Sequence, residues 1–174
     1  MDGAQGNAIE TTFDHKFARD IIRFVLREYM IGLYWIPTGI FKETDLDSPF
    51  TPQVKNAVKE ELDNEGHTLH KIFDEYFPDK SLIDNNYLEV CRKAKDRFVS
   101  EEFEIKSFIS FTVLLAFFAG LFYHYGGSPG TFISYKMIVQ AIRELKQLGK
   151  IDDNVWNEMQ TWLENQAEPV KVGQ

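Results

Sequence analysis

The sequence predicts an all-α domain in which amphipathic helices surround one helix that is apolar on every side. Residues 108–125 read FISFTVLLAFFAGLFYHY and contain no charged side chain. The other long segments repeat apolar residues every three or four positions with charged residues between them, which is the pattern of a helix with one buried face. No segment of useful length alternates apolar and polar residues as a half-buried strand would.

The first predicted helix has a clear apolar stripe. Its buried face recurs every four residues, at Phe13, Phe17, Ile21, Val25 and Tyr29. Glycines and prolines then break the periodicity over residues 32–50. Because this loop carries several large apolar side chains, we expect it to lie on the body of the domain.

The second predicted helix is long and has recognisable ends. Thr51 is suited to be the N-cap, and Pro52 to be the first helical residue. Pro78 ends the helix, and Gly66 in its middle predicts a bend or a short break. A shorter amphipathic helix over residues 88–98 follows. The apolar positions of the long helix are Val54, Val58, Leu62, Leu69, Ile72, Phe73, Tyr76 and Phe77.

The apolar segment is predicted to form a helix over residues 108–125. Ser107 is its expected cap, and the glycine pair that begins at Gly126 ends it. Another amphipathic helix is predicted over residues 131–148, and a last short helix after Asp152.

The apolar segment also raises the question of a membrane span. Its eighteen uncharged residues fall short of the roughly 20 that a spanning helix needs. It also includes Ser110, Thr112 and His124. Since the neighbouring helices each have an apolar stripe to cover, we interpret it as the central core helix of the domain.

Length and composition limit the class of protein. The 174 residues suit one domain at 11–165, with a disordered leader at 1–10 and a polar tail at 166–174. Cys91 is the only cysteine, so no disulfide forms within the chain and a cytoplasmic location is expected. The net charge of −8 argues against a nucleic-acid surface, which needs concentrated Lys and Arg.

The order of the predicted helices resembles that of the Bcl-2 family of apoptosis regulators. The segment FDHKFARDIIRFVLREYM looks like the family's first helix, which carries its fourth homology region. SFISFTVLLAFFAGLF sits where the family has its first homology region, commonly Asn-Trp-Gly-Arg followed by an apolar helix. NVWNEMQTWL resembles the second homology region, with Trp156 and Asn157 in place of its Trp-Asp. The resemblance extends over residues 13–163 and implies a Bcl-2-like helical bundle.

Two departures from the family pattern affect what the resemblance implies. Ser110 replaces the Arg that usually pairs with an Asp of the bound helix, so apolar contacts or another cation, such as Arg97 or Lys106, would have to hold a ligand. In the second helix, Lys59 stands where the third homology region (BH3) has Gly, and only Glu60 keeps its acidic character. A long side chain there argues against a pro-death protein that docks this helix into another groove.

The resemblance implies a regulator of apoptosis, and the pro-survival kind is favoured. Such a protein binds the amphipathic BH3 helices of pro-death relatives in an apolar groove. The groove is expected between the second half of the long helix, the next helix and the start of the apolar helix. Its predicted lining is Leu69, Ile72, Phe73, Tyr76, Phe77, Val90, Ala94, Phe98, Phe108, Ser110, Phe111, Leu114 and Leu115.

Two alternatives stay open within the same resemblance. One is a pro-apoptotic, membrane-permeabilising relative that inserts the apolar helix and the helix after it. The other is a module whose groove is closed or covered by a homodimer. Placement at the mitochondrial outer membrane would need an apolar tail beyond Gln174.

An enzyme is not expected from these residues, and neither is a cofactor or a metal. His67 and His70 share a helical face, but no third ligand stands at a suitable spacing, so two half-exposed histidines are the simpler interpretation. Cys91 falls on the apolar side of its helix, which predicts a buried structural thiol rather than a nucleophile paired with His124. The sequence also lacks a glycine-rich phosphate loop.

Overall fold

The computed structural model describes residues 12–127 and 129–167, and every regular element in them is helical. The predicted all-α class is therefore confirmed. The predicted leader at 1–10 lies outside the described residues. The described part contains six α-helices: α1 Phe13–Arg23, α2 Pro52–Tyr76, α3 Ile83–Ser100, α4 Ile105–His124, α5 Gly130–Gln147 and α6 Val155–Ala167.

The first helix follows the predicted stripe except at Phe13, which is exposed, and its end changes geometry. The Thr12 hydroxyl caps α1 by accepting a hydrogen bond from the backbone N–H of His15 at 3.5 Å. After Arg23 the chain continues as a π-helical turn over Phe24–Tyr29. On the predicted stripe, Phe17 and the residues one and two turns after it are fully buried.

The loop between α1 and α2 is only partly packed on the body. Trp35 and Phe41 are buried, with ring centroids 5.7 Å apart, as expected for a loop that lies on the domain. Tyr34, Ile36 and Leu46 instead expose most of their surface. The expectation therefore holds for Trp35 and Phe41 and fails for these three side chains.

The long helix begins as predicted, but it does not break. The Thr51 hydroxyl accepts a hydrogen bond from the N–H of Val54 at 3.3 Å, and Pro52 is the first helical residue. The break expected at Gly66 is wrong, because α2 runs through this residue without interruption. Side chains on both sides of it, such as Leu62 and Phe73, are buried in the core. Their burial outweighs the roughly 1 kcal/mol that a mid-helix glycine costs.

The apolar helix occupies the centre of the bundle. It packs against α1, α2, α3 and α5, so the prediction of a wrapped core helix is confirmed. It begins at Ile105 after Glu104, so Ser107 lies inside its first turns and the predicted cap is wrong. Its predicted end is confirmed, since Gly126 has a φ of 92° there. In the described residues, α4 is the one helix long and apolar enough to cross a membrane, and most of it is buried.

The last two helices bring a second wall close to α2. α5 follows the predicted span to within a residue and lies against both α3 and α4. α6 packs on α2 instead, and it continues to Ala167, two residues into the segment predicted as a tail. The pairing of α6 with α2 frames the surface described next.

Candidate ligand groove

An open groove lies between α2, α6 and the first turns of α4, with a volume of about 840 Å³. We call it the α2–α6 groove. Gln53 lines it near the start of α2, Ile72 near the end of that helix, and Gln166 near the end of α6. The groove therefore follows α2 for most of its length, which is the shape needed to hold an elongated partner rather than a compact one.

The floor of the groove is apolar and comes from three helices. Ile109 is nearly buried on α4, whereas Leu69, Ile72 and Trp162 are only partly buried. A partly buried tryptophan in a groove offers a large contact area that a partner would cover. The apolar lining residues are Ala57, Leu69, Ile72, Ile109, Trp162 and Leu163.

One face of α2 packs in the core, and a neighbouring face lines the groove. Val54, Val58 and Leu62 are buried in the core. The neighbouring stripe of α2, from Ala57 to Ile72, lines the groove. Helical residues three or four positions apart share a face, so a second stripe displaced from the core stripe remains open to solvent.

The charged groups of the groove are mostly acidic. Glu60, Glu61 and Glu65 line it from α2, against the one cation of the described lining, Lys106 of α4. The Ser110 hydroxyl donates a hydrogen bond to Oε2 of Glu61 at 3.3 Å across the groove. The remaining polar lining residues are neutral: Gln53, Asn56, Asn64, Thr68, Ser110 and Gln166.

Three of the predicted lining residues face this groove, namely Leu69, Ile72 and Ser110. Five others are at most 5% exposed and belong to the core, because aromatic neighbours enclose them; the Phe73 ring, for example, lies 5.2 Å from that of Phe118. These five core residues are Phe73, Phe77, Phe108, Phe111 and Leu115.

The other predicted lining residues lie outside the groove. Val90, Ala94, Phe98 and Leu114 are partly buried, and Tyr76 is exposed. The Phe98 ring stacks on Phe111 at 4.4 Å, so α3 closes against α4 where a second wall was expected. α6 supplies the second wall instead. Apolar periodicity locates the buried face of a helix and does not identify the helix that covers it.

Sequence reasoning missed the contribution of α6. Trp156, Met159 and Leu163 follow a helical spacing and are buried. Trp162 lies beside that stripe and remains partly exposed in the groove. An extra tryptophan next to a complete core stripe is the signal that could have identified this wall.

The residues quoted for the family resemblance lie in different environments. Trp156 is buried, with its ring 5.2 Å from that of Phe17, and the Asn157 amide donates to Oδ1 of Asn154 at 3.1 Å on the surface. Lys59 is exposed and pairs with Asp63 at 3.3 Å. Of the two cations considered as substitutes for the missing Arg, Lys106 lines the groove, while Arg97 pairs with Glu101 at 3.3 Å.

Cys91 lies in the core, and three of the histidines lie on the surface. Cys91 is fully buried, as predicted, and burial raises the pKa of its thiol to about 12. His67, His70 and His124 are exposed. In the described ranges, no group of three or more His, Cys, Asp or Glu residues is placed to hold a metal ion.

No family model matches this chain, and no curated protein or solved structure does either. The Bcl-2 assignment therefore stays a prediction from the quoted segments, and the groove supplies the physical basis for a functional proposal.

Proposed function

We propose that this protein is a Bcl-2-like, non-enzymatic regulator of apoptosis that promotes survival by holding the BH3 helix of a pro-death partner in the α2–α6 groove. The observation that supports this proposal best is the groove itself. Its floor is apolar, its rim is polar, and it follows a long helix. An amphipathic helix that presents apolar residues at i, i+3 or i+4, and i+7 fits such a surface. The proposed place of action is the cytoplasm or the mitochondrial outer membrane.

The burial of α4 favours a binding role over membrane insertion. The residues from Ala116 to Phe122 are all buried. The Ser134 hydroxyl of α5 donates to the backbone oxygen of Leu115 at 2.9 Å and also hydrogen-bonds the Tyr87 hydroxyl of α3 at 2.7 Å. Insertion would separate these helices and break the buried network. Helix binding needs no such rearrangement.

The groove charge argues against a homodimer that covers the groove symmetrically. In a twofold dimer the same patch meets itself. Glu60, Glu61 and Glu65 of both copies would then lie in one interface, and like charges brought together disfavour association. A partner with a different surface suits the groove better.

Trp162 is the residue that tests this proposal most directly. Tryptophans near the centre of an interface often contribute 2 kcal/mol or more, about a thirtyfold change in affinity. We expect Trp162→Ala to weaken binding of fluorescein-labelled BH3 peptides about 10- to 30-fold, as measured by fluorescence anisotropy. Since Trp162 is only partly buried, its removal should change the urea unfolding midpoint little.

Phe132→Ala is the matched control, because Phe132 is an aromatic residue that is 45% exposed on α5, outside the groove lining. It should leave peptide affinity unchanged. Absence of saturable binding up to about 50 µM for every BH3 peptide would overturn the proposal. Leakage of dye from vesicles without added peptide would instead support the permeabilising alternative.

A further inference from the structure

We propose that the α2–α6 groove selects a helix carrying Lys or Arg beside its apolar face, at the position that meets Glu61 and Glu65. This inference rests on the proposed function and specifies the partner more closely. It reverses the charge pairing that the family resemblance implies, in which the protein supplies the cation and the ligand supplies the carboxylate.

The first support is the arrangement of charge along α2. Glu61 and Glu65 are four residues apart, so their carboxylates lie one turn above each other on the same helix face. Glu60 adds a third carboxylate to the lining, opposite the single ammonium group of Lys106. A helix resting on the apolar floor would therefore have a negatively charged wall along one of its flanks.

The second support is that two of the three lysines of α2 pair with carboxylates outside the groove, and the third, Lys71, does not line the groove. Lys55 pairs with Glu28 at 3.5 Å, and Lys59 pairs with Asp63 at 3.3 Å. Across residues 12–127 and 129–167, none of the three groove carboxylates forms an ion pair. The acidic wall is therefore not neutralised from within the chain, which leaves its charge for a partner to meet.

The third support is the contact at Ser110. Its hydroxyl donates to Oε2 of Glu61 at 3.3 Å, and no side chain of the described residues donates to the second carboxylate oxygen, Oε1. A ligand carboxylate at this point would approach Glu61 in a lining where three carboxylates outnumber the one cation, Lys106. A ligand ammonium or guanidinium would donate to Oε1 in a charge-assisted hydrogen bond.

The experiment compares three fluorescein-labelled helical peptides of about 20 residues that share the same apolar anchors. They differ only in the polar position beside the second anchor, which is Lys, Gln or Asp. Each is titrated into the full chain by fluorescence anisotropy. We expect affinity to fall from Lys to Gln to Asp, by about two- to fivefold at each step. The difference should shrink in about 1 M salt, where the Debye length is near 3 Å.

Variants of the wall test whether the carboxylates cause the preference. The double substitution Glu61→Gln and Glu65→Gln should bring the three affinities within about twofold of one another. Glu75→Gln is the matched control, since Glu75 is exposed on the same helix but does not line the groove; it should keep the wild-type order. Lys106→Gln should preserve or increase the preference for Lys.

The outcomes separate the two proposals. If the Asp peptide binds as tightly as the Lys peptide or more tightly, the charge selection is wrong while helix binding stands. If the Glu61 and Glu65 double variant keeps the wild-type order, the preference does not come from this wall and the inference also fails. If none of the peptides binds, and BH3 peptides do not bind either, the proposed function itself fails.

Discussion

The two halves of α4 differ in how far the surrounding helices cover them. From Ala116 to Phe122 every side chain is buried. In the first half, Lys106 is exposed, and Ser110 and Leu114, one and two turns later, are only partly buried. One helix thus serves as the core at its end and as part of an open surface at its beginning.

The difference comes from how the covering helices converge. At the end of α4, α2 and α3 come together, with the rings of Phe77 and Tyr87 6.0 Å apart. Near the start of α4, α2 lies beside α6 instead of α3, and the groove remains open between α2 and α6. The groove therefore opens where the covering helices diverge and where α4 presents Lys106 and Ser110.

Thiol labelling should give the largest contrast between the two environments. Cys91 is fully buried, and burial raises its pKa to about 12. It should react with iodoacetamide only when the protein unfolds, whereas Ser110→Cys places a thiol in the groove. We expect Cys91 to react at least about 1,000-fold more slowly than the introduced cysteine in native protein.

Mass spectrometry of the labelled chain measures both rates in one sample, because both thiols are present in the Ser110→Cys variant. Unfolding in urea should make the rates similar. Rapid labelling of Cys91 in native protein would show that the core opens locally, and the contrast between buried and open regions would then be lost.

Truncation of a core ring should cost more than truncation of a partly buried residue of the same helix. Phe122 is fully buried, and its ring lies 4.2 Å from that of Tyr87. Phe122→Ala should lower the free energy of unfolding by about 3–5 kcal/mol in urea titration. Leu114→Ala, a partly buried position in the first half of α4, should cost clearly less. Equal losses would contradict the distinction between the halves.

Two glycines test how tightly the enclosed end of α4 is packed. A methyl group added at Gly127 would overlap the buried ring of Phe122. One added at Gly120 would meet the flexible thioether end of Met30. We expect Gly127→Ala to cost about 1–3 kcal/mol in unfolding free energy. Gly120→Ala should cost less, because Met30 can move and alanine favours a helix by up to about 1 kcal/mol.

Thermal and urea unfolding of both variants provide the measurement. A larger loss for Gly120→Ala than for Gly127→Ala would show that Met30 is held more rigidly than Phe122. That result would move the tightest packing from the end of α4 to its contact with Met30, which follows the π-helical turn.

Sequence reasoning predicted the helices of this fold better than it predicted the groove. The central position of α4 followed from its uncharged run, because the striped helices around it needed an apolar surface to cover. The short break predicted at Gly66 is absent, because the helix preference of one residue is weaker than the packing of Leu62 and Phe73 on either side of it.

The groove depended on information that periodicity does not contain. Leu69 and Phe73 are both apolar positions of α2, yet one lines the groove and the other is fully buried. The burial of these two side chains differs because it depends on which neighbouring helix covers each of them. The positions of the neighbouring helices are set by the whole bundle. The wall formed by α6 could not be assigned without knowing that this helix lies on α2.

Acidification should produce the smallest change in the unfolding free energy, and it should act through the buried residue His15 rather than through the groove. His15 is buried between α1 and α5, near Arg143 of α5 and Asp14 of its own helix. Burial lowers its pKa from 6.5, and Arg143 lowers it further, while Asp14 opposes both. The unfolded chain therefore binds a proton more readily than the folded one. The unfolding free energy should fall as the pH drops through 6.5 toward the folded pKa, and level off below it.

The comparison with His15→Gln isolates this contribution, because other titrating groups act equally in both proteins. Urea titrations between about pH 8 and pH 5 should show a shallower loss of stability in the variant. The groove lining contains no histidine in the described structure. Over the upper part of this range, peptide affinity should therefore change less than stability does. Identical pH profiles for wild type and His15→Gln would show that His15 titrates alike in the folded and unfolded states, which contradicts its burial between α1 and α5.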